Sequence, residues 1–229
     1  MKILVFSLLV LSASANNTAF YESFGNSYDG LPEGWSRYEF SDEKPTSYSV
    51  AKQNDGGWVL EARSNSSSSI VYKEIKVDLK KYPLLSWRWK IEKALERGNE
   101  RNKDTEDSPA RIYVGITKNK IGLGKVLELL DGKLRFFLER AIAYVWSSRL
   151  PKDTVISSPH TDKIKVIVLE NSEEKVGEWV YEERNVYEDY KSVFGDKPRS
   201  VIGIAIMTDT DNTKDSTTAY YDDIRFFGK

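Results

Sequence analysis

Leu84-Leu-Ser-Trp-Arg-Trp-Lys-Ile91 is the stretch that decides the fold: Leu85, Trp87, Trp89 and Ile91 share one side, while Ser86, Arg88 and Lys90 share the other. A period of two marks a strand with one buried face, because successive side chains point to opposite sides of the pleat. The alternation recurs downstream. In Arg111–Ile116, Ile112, Val114 and Ile116 read as buried, with Arg111, Tyr113 and Gly115 pointing away. In Val201–Met207, Ile202, Ile204 and Ile206 read as inward, with Gly203, Ala205 and Met207 outward. Further runs at Ile70–Val77, Ile142–Trp146, Ile164–Leu169 and Ala219–Phe227 are separated by turn signals such as Asp55-Gly56-Gly57 and Asp196-Lys197-Pro198. Strands at this density predict an all-β fold, a two-sheet antiparallel jelly-roll sandwich.

Two segments break the pattern. Gly122–Arg140 reads as a helical insertion, with Val126, Leu127, Leu130, Leu134, Phe137 and Leu138 on one stripe. Asn185-Val-Tyr-Glu188 resembles a capping box and Gly195 a helix stop, which predicts a short helix over about 187–194.

The N-terminus carries an export signal. Lys2 gives a positive start, Ile3 to Leu11 an apolar run, and Ala13-Ser14-Ala15 a small-x-small site, so residues 1–15 read as a signal peptide cleaved after Ala15. Residues 16–229 then form a single β-sandwich domain. Periplasmic or secreted placement follows, and no later stretch approaches the ~18 uncharged apolar residues of a membrane span. With 34 basic against 35 acidic residues the net charge is −1, which argues against nucleic acid and anionic membranes as partners. There is no cysteine, although an oxidising compartment would permit disulfides, so packing or a metal ion must hold the fold.

Catalytic signatures are absent. The sequence has no Gly-x-Ser-x-Gly, no phosphate-binding glycine loop and no zinc constellation, and His160 is its single histidine. Three features remain. Thr208-Asp-Thr-Asp-Asn-Thr213 clusters oxygen donors that suit either a hard cation or Asx-turn chemistry. Glu92–Pro109 is a long charged excursion between strands, placing Asp107 four residues before Arg111. The polar side of the central strands carries Arg88, Arg111 and Tyr113, a pattern that fits a ligand groove and an ordinary solvated face alike.

Several motifs together resemble the bacterial secreted domain-of-unknown-function family 3047. They are Leu85-Ser-Trp-Arg-Trp89, Glu106-Asp107, Ala110-Arg-Ile-Tyr-Val114, Ala143-Tyr-Val-Trp146, Trp179, Arg184, Asp189–Gly195, Gly203–Thr213 and Tyr221–Phe226. The chain departs from that pattern in its longer helical stretch and in Glu106, where aspartate is usual. The resemblance implies a jelly-roll-like sandwich and export, but no activity. Its recurring residues fall on the groove face and its loops: Arg88, Asp107, Arg111, Tyr113, Asp209, Asp211 and Asn212. The chain's two ends also look like those of jelly-roll carbohydrate-binding modules. That likeness implies a structural calcium held by Glu22 with Asp222 or Asp223.

These readings converge on an exported, non-catalytic module that binds a glycan of the cell envelope or extracellular matrix. Tyr113, Tyr144 or Trp146 would stack on sugar rings, and Arg88, Arg111 and the Asp209–Asn212 turn would hydrogen-bond them. A polysaccharide-degrading enzyme is the alternative. As a hydrolase it would use Asp107 and Asp209; as a lyase it would use Tyr113 as base, with Arg111 neutralising a uronate. A third reading is an envelope scaffold that contacts a protein through the 122–140 helix.

Overall fold

The computed structural model describes residues 17–25, 27, 28, 30–53, 56–118, 140–171 and 174–229. The signal stretch 1–15 lies outside these residues, as does the expected helix over 122–140 except for Arg140, which opens a strand. In chain order the strands are β1 (Thr18–Glu22), β2 (Ser27–Tyr28), β3 (Leu31–Pro32), β4 (Ser36–Glu39), β5 (Ser47–Lys52), β6 (Trp58–Asn65), β7 (Ser69–Asp78) and β8 (Leu84–Ile91). There follow β9 (Ala110–Thr117), β10 (Arg140–Ser147), β11 (Val155–Ser158), β12 (Thr161–Asn171), β13 (Val180–Asn185), helix α1 (Val186–Phe194), β14 (Ser200–Met207) and β15 (Ser216–Phe227). A six-stranded sheet runs β13-β8-β15-β6-β5, with β1 also paired to β15, and a seven-stranded sheet runs β11-β12-β10-β9-β14-β7-β4. The two form the expected jelly-roll-like sandwich.

The alternation in Leu84–Ile91 is realised. Leu85, Trp87, Trp89 and Ile91 are fully buried between the sheets, whereas Arg88 and Lys90 face outward. Opposite them, Ile112 and Val114 of β9 and Ile142, Tyr144 and Trp146 of β10 close the core. Aromatic contacts bridge the layers, with ring centroids 5.4 Å apart for Trp87–Tyr144 and 5.9 Å for Trp89–Trp146. Burying each such ring is worth on the order of 3 kcal/mol, enough to hold a sandwich without disulfides.

Three details depart from expectation. β10 and β12 pair parallel, because β11 intervenes in sequence and flanks β12 on its far side. A bulge between Val201 and Gly203 turns Val201 inward together with Ile204 and Ile206, so Ile202 stays half-buried and leaves the core. The third concerns the central strands: β8 and β9 belong to opposite sheets, joined by the excursion 92–109.

Helix α1 forms as its caps dictate. Asn185 Oδ1 accepts the Glu188 N–H at 3.1 Å, and Gly195 ends the helix at φ +69° while donating to Lys191 O. Val186 and Tyr190 dock it onto the core.

Candidate functional site

Six of the expected ligand residues meet at one end of the seven-stranded sheet. β9 begins just after the excursion, which delivers Glu106 and Asp107, and β14 ends just before the acidic turn, which delivers Asp209, Asp211 and Asn212. At the centre Arg111, only 2 % exposed, donates from Nη1 to Glu106 Oε1 (3.0 Å) and the Tyr113 hydroxyl (2.7 Å). Its Nη2 donates to Glu106 O and Ser108 Oγ, both at 3.0 Å, and lies 3.6 Å from Asp209 Oδ2. Asp107 ties the two loops together. Its Oδ2 accepts the Thr213 N–H and hydroxyl at 2.6 Å each, and its Oδ1 accepts the Asn212 N–H at 3.3 Å. Ser108 N–H donates to Asp209 Oδ1 (3.1 Å), and Glu100, buried below, takes the hydroxyls of Ser108 and Ser147. His160 Nε2 reaches Glu106 Oε2 at 3.1 Å from the rim.

Burial dominates the electrostatics here. It pushes the Asp209 carboxyl well above the usual range, with Asp107, Glu106 and Asp211 adding to the rise and Arg111 opposing it. Asp211 and Glu100 are raised for the same first reason. Among the described residues, Asp107, Asp209 and Asp211 each offer an oxygen within 4.8 Å of the others, a donor set of the kind a hard cation accepts. The oxygens of Asp107 and Asp209 already serve the loops, however. A hydrolytic pair needs carboxylates roughly 5–10 Å apart with room for substrate. Asp107 and Asp209 lie together but are buried, with their oxygens taken by loop donors, so a substrate has no access between them in this arrangement. Burial also raises Tyr113, whose hydroxyl accepts from Arg111 and donates to Met207 Sδ at 3.8 Å, a poor setting for a base. This cluster fastens two loops to the sheet.

The other expected residues lie elsewhere. Tyr144 and Trp146 are fully buried between the sheets and cannot stack on a ligand; the Ala-Ile-Ala-Tyr-Val-Trp alternation of β10 turns its larger side chains inward. The Tyr144 hydroxyl donates to Asp189 Oδ2 at 2.8 Å. The proposed calcium ligands each have protein partners. Glu22 accepts Trp35 Nε1 (2.9 Å), Lys73 Nζ (2.8 Å) and the Phe24 N–H (3.1 Å). Asp222 takes Arg88 Nη2 at 2.6 Å, and Asp223, at φ +53° in the β15 bulge, lies 3.1 Å from Arg88 Nε. Glu22 thus has Lys73 and the aspartates have Arg88, so protein cations stand beside each of the expected ligands.

Arg88 and Arg111 do not share a face. Arg88 stands on the outer side of the six-stranded sheet, where the backbone register builds a polar and aromatic surface that sequence reasoning missed. One row runs Glu61–Tyr220–Lys90, and the next places Asp222, Arg88 and Tyr181 side by side. The Arg88 guanidinium carbon is 4.8 Å from the Trp179 ring centre, and Lys90 Nζ is 4.5 Å from that of Tyr220. The Trp179 and Tyr220 centroids are 6.3 Å apart. Tyr181 stands out from the strand, 61 % exposed, its hydroxyl donating to Glu183 at 3.3 Å. The outward parity of Tyr181 and Glu183 in Val180–Asn185 was the signal available in the sequence.

A family model described as protein of unknown function (DUF3047) matches residues 33–225. No curated protein matches the sequence. Similar solved structures include the family 11 carbohydrate-binding module of a cellulosomal cellulase of Clostridium thermocellum, at 12 % identity and TM-score 0.41, over 90 % of this chain and 92 % of that one. Another is the Trichoderma harzianum endoglucanase 3 of family GH12, at 9 % identity and TM-score 0.47, over 95 % of this chain and 100 % of that one.

Proposed function

This chain belongs to domain-of-unknown-function family 3047, and we propose that it is an exported, non-catalytic module that binds a glycan of the cell envelope or extracellular matrix on the outer face of its six-stranded sheet. The observation that carries this reading is Tyr181, an exposed ring set beside a guanidinium that is already fixed. Sugar rings present C–H faces that pack on aromatic faces, and hydroxyls that need donors and acceptors of set direction. Tyr181, Trp179 and Tyr220 supply the first requirement. Arg88, Lys90, Glu61 and Glu183 supply the second. Arg88 is held by Asp222, Asp223 and the Trp179 ring, so its immobilisation is complete before a ligand arrives.

The cluster around Arg111 plays a different part in this reading. Apart from the buried Arg111 Nε, its side-chain donors and acceptors largely serve one another, which supports a role in positioning loops. Export rests on the Lys2 to Ala15 pattern.

The test is isothermal titration of the protein with a panel of envelope and matrix polysaccharides, neutral and uronate-containing, repeated with Tyr181→Ala. Binding to at least one polymer, weakened by the substitution, is the expected result. No binding by the wild-type protein to any of them overturns the proposal.

A further inference from the structure

The corner where the chain crosses from the seven-stranded sheet to the six-stranded sheet buries two glutamates that the binding face does not use. Glu170, near the end of β12, is 6 % exposed, and its Oε1 accepts Lys152 Nζ at 3.1 Å and Lys175 Nζ at 2.8 Å. Glu182, in β13, is 9 % exposed and stands on the same side as Val180, facing the core beside its β8 partner Trp87. The polarity rule for strands is broken here: a carboxyl occupies a position where the alternation calls for an apolar residue.

Among the described residues, Glu182 Oε1 is shut off from solvent and has no hydrogen-bond partner, and the same holds for the indole N–H groups of Trp87, Trp89 and Trp146. The Trp89 indole favours the Glu182 anion from close by yet falls short of hydrogen-bonding geometry. Both lysines at this corner are engaged by the other glutamate. A neutral acid fits such a place, whereas an anion brings an uncompensated charge into the interior beside Glu170.

We propose that Glu182 and Glu170 form a pH-sensitive latch between the two sheets, closed while Glu182 holds its proton and loosened when the proton leaves. The charges that act on Glu182 are those of Glu170, which pairs with Trp146 in the β10–β12 register where the Trp146 ring meets Trp89 of β8, of Lys152 from the turn before β11 and of Lys175 from the β12–β13 connection; Glu174 acts on Lys175. Arg184, the next residue on the same side of β13, is committed to Asp189 through two hydrogen bonds of 2.6 and 3.0 Å. Burial pushes the Glu182 carboxyl up to about 7 from 4.5, Glu170 adds to the rise, and Lys152, Trp89 and Lys175 oppose it. Because the folded-state value lies above the unfolded one, the contribution of Glu182 to stability is fully present below about 4.5. It is lost as pH rises through about 7.

Thermal unfolding of the wild-type protein, Glu182→Gln and Glu170→Gln at about pH 5 and about pH 8.5 tests the latch. Glu182→Gln is expected to melt with the wild type at the lower pH and several degrees above it at the higher. Glu170→Gln is expected to narrow the wild type's loss. At the higher pH, the amides of Val180 and Glu182 should exchange about tenfold faster in the wild type than in Glu182→Gln. An offset between wild type and Glu182→Gln that is the same at both pH values overturns the proposal. Should the variants fail to fold, the side-chain carboxyl carbon of Glu182 can be titrated by NMR in the wild-type protein. A midpoint near 7 supports the latch, and one in the ordinary carboxylate range overturns it.

Discussion

The Arg88 guanidinium lies 4.8 Å from the centre of the Trp179 ring, stacked on a side chain that sits just before β13 at the edge of the sheet. Asp222, on the neighbouring strand, accepts from Nη2 of the same guanidinium at 2.6 Å and from Nε at 3.2 Å. Flexible arginines make poor specificity elements because ordering them costs rotamer entropy. This one is ordered by two neighbours in the absence of ligand, and Tyr181 stands directly beside it.

Removing the ring beneath Arg88 should therefore cost affinity without costing the fold. Trp179→Ala is expected to weaken glycan binding by about tenfold or more, since it deletes one packing surface and frees Arg88. Titration calorimetry and circular dichroism on the same sample check both halves of the expectation.

Arg111 should behave in the opposite way. Truncation to Met leaves Glu106 and Asp209 buried without their cation, which typically costs about 3–5 kcal/mol. Urea unfolding is expected to show that loss for Arg111→Met, while any of the protein that remains folded binds the glycan as the wild type does.

A matching prediction concerns the aromatic residues of β10. Trp146→Ala opens a cavity against Trp89 and should destabilise the fold by about 3–5 kcal/mol. Tyr144→Phe leaves the Asp189 carboxylate without one of its donors and should cost roughly 1–2 kcal/mol. Neither should change the affinity of the folded protein, and a direct loss of binding by Tyr144→Phe at full stability would restore Tyr144 to the ligand face.

Much of the fold was legible because local chemistry settled it. The alternation of Leu84–Ile91 assigns every side chain of that strand to the correct face, and the Asn185 and Gly195 caps delimit α1 to within a residue. What periodicity cannot say is which sheet a strand joins. β8 and β9 show the same inward and outward pattern, so Arg88 and Arg111 read as one face although the sandwich sets them on opposite outer surfaces. In β10, alanine alternates with larger residues, and either side of such a strand reads as an outer face until the opposing layer is known. Tyr181 was hidden by Glu182. An inward carboxyl makes Val180–Asn185 look polar throughout, and the exposed ring beside it loses its contrast.

Calorimetric titration of the wild type and Tyr181→Ala with the same polysaccharide, alongside their melting temperatures, bears hardest on the proposed binding face. The expected outcome is a loss of affinity of about tenfold in Tyr181→Ala, with melting unchanged, because the side chain is exposed and its removal deletes packing for the ligand alone. Equal affinity of the two proteins for a glycan that the wild type binds would contradict the assignment of this face.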